Sequence, residues 1–241
     1  AGNTVLGESA LDASVSGGNN TAIGNNALTT NTSGQGNVAV GGQALESNTT
    51  ASYSVGIGYQ ALENNTSGEC VAIGFQALNA NTTGINNAAF GRYRPLFSNT
   101  TGNNNTALGD RSLYSNTTAS SNSAVGYNAL YSVTTGSRNT AIGAEALDAL
   151  TTEGQNTAVG YRSLSTSTTG SLNTAVGDEA LFSTTTGQSN SALGNDALYA
   201  NTTGSNNTAV GALALDANTT ASNITAVGYG SLSGNTTGDN N

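Results

Sequence analysis

The main pattern of the chain is an alternation of small, apolar and polar positions that repeats every 17 residues. The coil at residues 156–172 reads Asn-Thr-Ala-Val-Gly-Tyr-Arg-Ser-Leu-Ser-Thr-Ser-Thr-Thr-Gly-Ser-Leu. Its Val position is apolar in every repeat, and a Leu follows the Gly after four residues in nearly all repeats. A short fixed period indicates a solenoid, in which each repeat forms one coil. The sequence predicts an all-β, parallel β-solenoid (β-roll) of about 14 coils, forming a single domain over residues 1–241.

Each coil is predicted to contain a strand at its Asn-Thr-Ala-Val-Gly segment, and two or three short strands fit into one coil. We expect the Val and Leu positions to form two columns of the core. The Ala and Gly positions then lie on the opposite strand face, where small side chains indicate close packing. That face is buried either against a neighbouring chain or in the wide interior of the same coil.

The Asn that precedes each strand is expected to form a hydrogen-bonded ladder in a partly dry site. Cys70, the only cysteine, occupies this position in one coil. We interpret it as a small buried residue that fills a gap in the ladder, with a reactive or cross-linking thiol as the alternative.

Composition excludes several classes of function. Charged residues make up 8% of the chain, the net charge is −9, and there is no Lys or His. Nucleic-acid binding needs a stripe of basic residues, which this chain lacks. A membrane-spanning helix needs about 18 consecutive apolar residues, and the sequence contains no such run. Without His and with one Cys, the usual catalytic bases and metal ligands are missing. We therefore expect no enzyme activity, no cofactor and no metal site.

Two polar patterns leave alternatives open. Asp178, Glu179 and Asp196 lie in adjacent coils and could hold Ca²⁺, whereas Glu145, Arg162 and Glu179 share one column and predict a surface charge ladder. The recurring Asn-Thr-Thr tripeptides match the N-glycosylation acceptor, although turn chemistry also explains them.

Candidate surface-binding residues come from aromatic and Arg side chains. Phe97, Tyr114 and Tyr131 occupy one column, and Tyr59 and Phe75 occupy another. At a coil spacing of about 4.8 Å these rings are expected to stack, either as a stabilising ladder or as a sugar-binding strip. The segment Arg92-Tyr93-Arg94-Pro95 contains one inserted residue, and Arg111 follows one coil later. This segment predicts a bulge or a contact for an anionic partner.

The repeats resemble those of known surface proteins. The segments 20–24, 139–143 and 156–160 (Asn-Thr-Ala-Ile/Val-Gly) resemble the repeats of trimeric autotransporter adhesin heads. The segment 207–211, with the Asn-Thr-Thr-Gly turn at 201–204 before it, resembles repeats of phage tail-fibre-type proteins. The likeness covers essentially the whole chain, although this coil is longer by a Thr-Thr-Gly turn. It implies a left-handed β-roll wound as a homotrimer, an extracellular position on a cell or virion, and attachment to a glycan or receptor.

Three functional hypotheses follow. The leading one is a non-enzymatic extracellular fibre segment, from a tail fibre or surface adhesin, that displays a repetitive surface for attachment. The alternative is an extracellular filament in which solenoids stack end to end through open β-edges. The third is ice binding through regular Thr columns. Against ice binding stands the interruption of the strand Thr column by Val38, Val55, Val71 and Ala88.

Overall fold

The computed structural model describes residues 2–13 and 15–240, and it contains strands but no helix in those ranges. The strands are parallel and follow chain order in a 14-stranded sheet, as a solenoid of about 13 turns with a 17-residue repeat. This confirms the predicted fold class. The strands are β1 Thr4–Leu6, β2 Thr21–Ile23, β3 Val38–Val40, β4 Val55–Ile57, β5 Val71–Phe75, β6 Ala88–Tyr93, β7 Thr106–Leu108, β8 Ser123–Val125, β9 Thr140–Ile142, β10 Thr157–Val159, β11 Thr174–Val176, β12 Ser191–Leu193, β13 Thr208–Val210 and β14 Thr225–Val227.

The chain divides into two compact units. The first is Ala1–Ser121 and contains β1 to β7, and the second is Asn122–Asn241 and contains β8 to β14. Within each unit, equivalent positions of successive coils pair directly, as Thr157 does with Thr174 and Ala158 with Ala175. Each position of the repeat therefore becomes a column of similar side chains.

Each coil contains one short strand, and the rest of the coil consists of turns. In the coil that contains β10, Arg162, Leu164 and Leu172 have φ angles of 51°, 52° and 61°, and Gly160 has a φ of 138°. Residues in this left-handed region turn the chain and cannot continue an extended strand. The expectation of two or three strands per coil is therefore wrong.

The side chains of the strand point in the opposite sense to the one we expected. In β10, Ala158 is fully buried, whereas Thr157 and Val159 are partly exposed. At the Val position, Ile142 is 43% exposed and Leu193 is 50% exposed. The Ala column faces the core and the Val column faces outward, so the predicted Val core column is wrong.

The reason is the narrow interior of the coil. Gly56 occupies the Ala position of β4, and a Cβ atom placed on it would lie 3.3 Å from Cγ of Leu45 and 3.0 Å from the carbonyl oxygen of Ala61. The space between the strand and the Leu column therefore accepts a methyl group but not the branched side chain of Val. Interiors packed to this density do not relax to admit the extra atoms.

The Leu column is the second wall of the core, as predicted. Leu164, with its neighbours in the column such as Leu147 and Leu181, is fully buried. These Leu residues lie in the left-handed region, with a φ of 52° at Leu164. This conformation is unfavourable for a bulky residue, and the burial of each Leu, which contributes about 1.5–3 kcal/mol, offsets it.

Two buried Asn columns satisfy the backbone of the turns. Asn190, which precedes β12, donates from Nδ2 to the carbonyl of Gly204 at 2.9 Å, and its backbone N–H donates to Oδ1 of Asn173 at 2.9 Å. Asn201, from the Asn-Thr-Thr turn, donates to the same Gly204 carbonyl at 3.1 Å. The predicted dry Asn ladder is confirmed, because Asn173, Asn190 and Asn201 are fully buried.

Most of the turn Asn residues that match the N-glycosylation motif are buried. Asn48, Asn81, Asn116 and Asn201, which match the acceptor motif, are each 0% exposed. Their amides face the interior, so the folded chain has no room for a glycan on them. At these sites the motif serves turn chemistry, whereas Asn235, which also matches it, is partly exposed.

Cys70 replaces Asn in the ladder and fills its place. It is fully buried, and its thiol donates to the carbonyl of Gly84 at 3.3 Å, the bond that an Asn amide makes in other coils. Burial raises the pKa of the Cys70 thiol, which disfavours the reactive thiolate. The interpretation as a small buried residue is confirmed.

We predict that Gly194→Ala destabilises the fold much more than Gly228→Ala. Both glycines have strongly positive φ angles, 138° and 124°, so both substitutions cost about 1–3 kcal/mol of backbone strain. At Gly194 the new Cβ would also lie 2.6 Å from the carbonyl carbon of Gly211, whereas at Gly228 it would meet nothing within 4 Å. We expect the overlap to add about 1–3 kcal/mol, measured by urea unfolding. Equal losses in the two variants would contradict backbone contact at this column.

We predict that Cys70→Asn stabilises the first unit. The amide would donate to the carbonyl of Gly84, and its oxygen would replace the thiol as acceptor for the backbone N–H of Asn87, as Oδ1 of Asn20 accepts from the backbone N–H of Asn37. A net gain of about 1 kcal/mol in the free energy of unfolding is expected. The matched change Asn190→Cys in the second unit should lower that free energy by a similar amount. A loss of stability in Cys70→Asn would mean that the ladder is not the controlling interaction.

Candidate functional surfaces

The outer strand face consists of the side chains at the Thr and Val positions of the strands, which point away from the core. No residue of this face is charged in any of the 14 strands described. The Val position holds Leu6, Ile23, Val40, Ile57, Ile73, Phe90, Leu108, Val125, Ile142, Val159, Val176, Leu193, Val210 and Val227. Each unit thus exposes a strip of apolar side chains along its sheet, and large exposed apolar patches are typical of interaction sites.

The two units differ in the second column of this face. In the first unit, four successive strands carry Val38, Val55, Val71 and Ala88 at the Thr position. In the second unit every strand carries a hydroxyl there. These residues are Ser123, Thr140, Thr157, Thr174, Ser191, Thr208 and Thr225. The outer strand face is therefore purely apolar in the middle of the first unit and half hydroxylated in the second.

Three aromatic rings stack on the surface of the first unit. The ring centroids of Tyr59 and Phe75 are 5.8 Å apart with an interplanar angle of 16°, as the sequence predicted. Tyr93 extends the stack at 5.5 Å and 6° from Phe75. The inserted residue makes this possible, because the pairing of β5 with β6 shifts register so that Phe75 pairs with Tyr93. The predicted bulge is confirmed, and Tyr93 is a member of the ladder that sequence analysis missed.

Arg94 joins this stack to a second one. Its guanidinium carbon lies 5.0 Å from the ring centroid of Tyr93 and 4.9 Å from that of Phe97. Phe97 stacks on Tyr114 at 5.4 Å. The Nε of Arg94 donates to Oε1 of Gln76 at 2.6 Å, which fixes the side chain between the rings. We call Tyr59, Phe75, Tyr93, Arg94, Phe97 and Tyr114 the Arg94 surface.

The other candidate residues have separate environments. Arg92, whose side chain is 88% exposed, contacts Asp110 at 3.0 Å, and Asp110 also accepts from the backbone N–H of Tyr93 at 3.1 Å. Arg92 and Asp110 thereby brace the bulge. Arg111 shares the column of Arg94, and its backbone N–H donates to the carbonyl of Tyr93 at 3.0 Å. Tyr131 belongs to the second unit.

The second unit contains a counterpart of the Arg94 surface with different electrostatics. Arg162 lies over the ring of Phe182 at 4.5 Å, and Phe182 stacks on Tyr199 at 5.3 Å. Arg162 also contacts Glu145 at 3.5 Å and Glu179 at 3.1 Å. The predicted charge ladder is confirmed. Phe182 and Tyr199 lie in the same repeat column as Phe97 and Tyr114. Their spacing of 17 residues in the sequence therefore already predicts that the two rings stack.

A shallow groove of about 320 Å³ in the second unit is lined by Glu179, Asp196, Tyr199, Leu213 and Asp216. Burial, together with the charges of Asp178 and Asp216, raises the pKa of Asp196. Among residues 2–13 and 15–240, however, no group of three or more His, Cys, Asp or Glu side chains is arranged to hold a metal ion. The same residues include no helix with the length and hydropathy of a membrane span.

Comparison with protein-family models, with curated proteins and with solved structures gives no match to this chain.

Proposed function

We propose that this chain is a non-enzymatic structural segment of an extracellular fibre, of the tail-fibre or adhesin kind. In this proposal identical copies associate through their outer strand faces, and the remaining surface serves for attachment to a host or other surface. The number of copies, three, and the position on a cell or virion come from the resemblance of the repeats to adhesin heads.

The single observation that carries the proposal is the apolar, uncharged outer strand face. Leu108, Ile142 and Leu193 expose 48%, 43% and 50% of their surface to water in an isolated chain. Burying this area between copies would contribute roughly 25 cal/mol for each Å² removed from water. Because like positions stack in columns, identical copies would present complementary strips without any buried charge.

We predict that the unaltered chain has a solution mass of three times 23.8 kDa, about 71 kDa, by light scattering after size exclusion. The double variant Ile142→Asp with Leu193→Asp should reduce that mass to 23.8 kDa, because each carboxylate would have to be buried in the interface. Its unfolding transition as a monomer should change little, since both positions are exposed within one chain.

The control for this experiment is Leu172→Asp. Leu172 is 52% exposed, about as much as Leu193, but it lies in a turn and not on a strand. This variant should keep the mass of the unaltered chain. A mass of 23.8 kDa for the unaltered chain, or equal effects of the turn and strand variants, would refute assembly through the outer strand face.

Ice binding is a second candidate, favoured by the outer strand face of the second unit. There the hydroxyl column runs beside an aliphatic column without interruption, so the earlier objection applies only to the first unit. Parallel strands repeat such hydroxyls at about 4.8 Å, a regular array that could order water. This candidate predicts thermal hysteresis that is lost in Thr174→Glu and retained in Leu172→Asp. A 71 kDa assembly without thermal hysteresis would eliminate it.

A further inference from the structure

We propose that the Arg94 surface binds an acidic saccharide, carboxylated or sulfated. The guanidinium of Arg94 would contact the acidic group, and the rings beside it would contact the sugar. This inference names the ligand class for the attachment role proposed above and rests on that role.

The side chain of Arg94 is held in one position before any ligand binds. Ring contacts at 4.9 Å and 5.0 Å and the bond from Nε to Gln76 hold the side chain in a half-buried position. A guanidinium has five N–H donors, and Nε uses one of them here. Its terminal nitrogens, Nη1 and Nη2, have no acceptor among the described residues. A planar pair of fixed donors suits two oxygens of a carboxylate or sulfate.

The charges around Arg94 favour an anionic ligand. Arg162 occupies the same repeat column in the second unit and also lies over an aromatic ring, but two carboxylates neutralise it. The neighbours of Arg94 in that column are Gln76 and Arg111, which carry no negative charge. In a chain with a net charge of −9, residues 92–111 contain three Arg and a single carboxylate, that of Asp110, which pairs with Arg92 and not with Arg94. This part of the first unit can therefore attract an anion.

The rings beside Arg94 favour a saccharide over a nucleic-acid base. Tyr59 and Tyr93 are 48% and 38% exposed, yet their faces are turned to Phe75 in nearly parallel stacks. A nucleic-acid base needs a free ring face on which to stack, and the inner faces of this ladder are occupied. At Tyr59 and Tyr93 the ladder carries phenol hydroxyls, which can donate hydrogen bonds to and accept them from the hydroxyl groups of a saccharide.

The test measures binding of the full chain to immobilised polygalacturonate and dextran sulfate, with neutral dextran and polyglutamate as reference polymers. We expect binding to both acidic saccharides, little to neutral dextran, and weaker binding at high salt. Arg94→Gln should weaken binding by about ten-fold, and Arg94→Lys should restore only part of it, because an ammonium lacks the planar fork. Tyr93→Leu should weaken binding as well.

The matched control is Arg162→Gln, which removes an Arg from the same repeat column but should leave binding unchanged. Equal losses in Arg94→Gln and Arg162→Gln, equal binding to polyglutamate, or no binding by the unaltered chain would each overturn the inference. Light scattering separates this result from the assembly proposal, since Arg94→Gln should keep the mass of the unaltered chain. Binding by a 23.8 kDa monomer would support the ligand site while refuting the trimer.

Discussion

The close approach of backbone to backbone between successive coils is the constraint on which the rest of the structure depends. At Gly126 and Gly194, a Cβ atom would come within 2.5 Å and 2.6 Å of the Gly backbone in the next coil. Coils stacked this tightly, and turned by residues with positive φ, enclose an interior about one methyl group wide on the strand side. Small residues on the inner strand face and a single Leu opposite them follow from that width.

The tight turns of each coil also explain why part of its interior is polar. Each turn directs backbone carbonyls inward, where neither a second strand nor water satisfies them, and an unpaired buried carbonyl is costly. The paired Asn columns meet this need, as Asn190 and Asn201 do at the Gly204 carbonyl. A low content of bulky hydrophobic residues is therefore compatible with an ordered fold, because much of the core consists of amide hydrogen bonds stacked coil on coil.

Because the inner positions are so restricted, sequence variation is concentrated on the outside. The outer strand face varies between purely apolar and hydroxylated, and the columns beyond it vary between aromatic, basic and acidic. The Arg94 surface and its counterpart at Arg162 share one framework of stacked rings, yet they differ in whether carboxylates neutralise the Arg. Differences of this kind let one repeat carry different surfaces without any change of fold.

The sequence by itself determined the period, the parallel solenoid, the Leu column, the Asn ladder, the stacking of Tyr59 on Phe75 and of Phe97 on Tyr114, and the bulge at Arg92-Tyr93-Arg94. All of these depend on regular spacing, which is visible along the chain. Only the tertiary structure decided which way the strand faces point, because alternation defines two faces without saying which is inside. The deciding quantity was the width of the coil interior, seen at Gly56 and Leu45, and it depends on corner geometry. The contacts of Arg94 were equally hidden, since they join residues from two successive coils across a register shift.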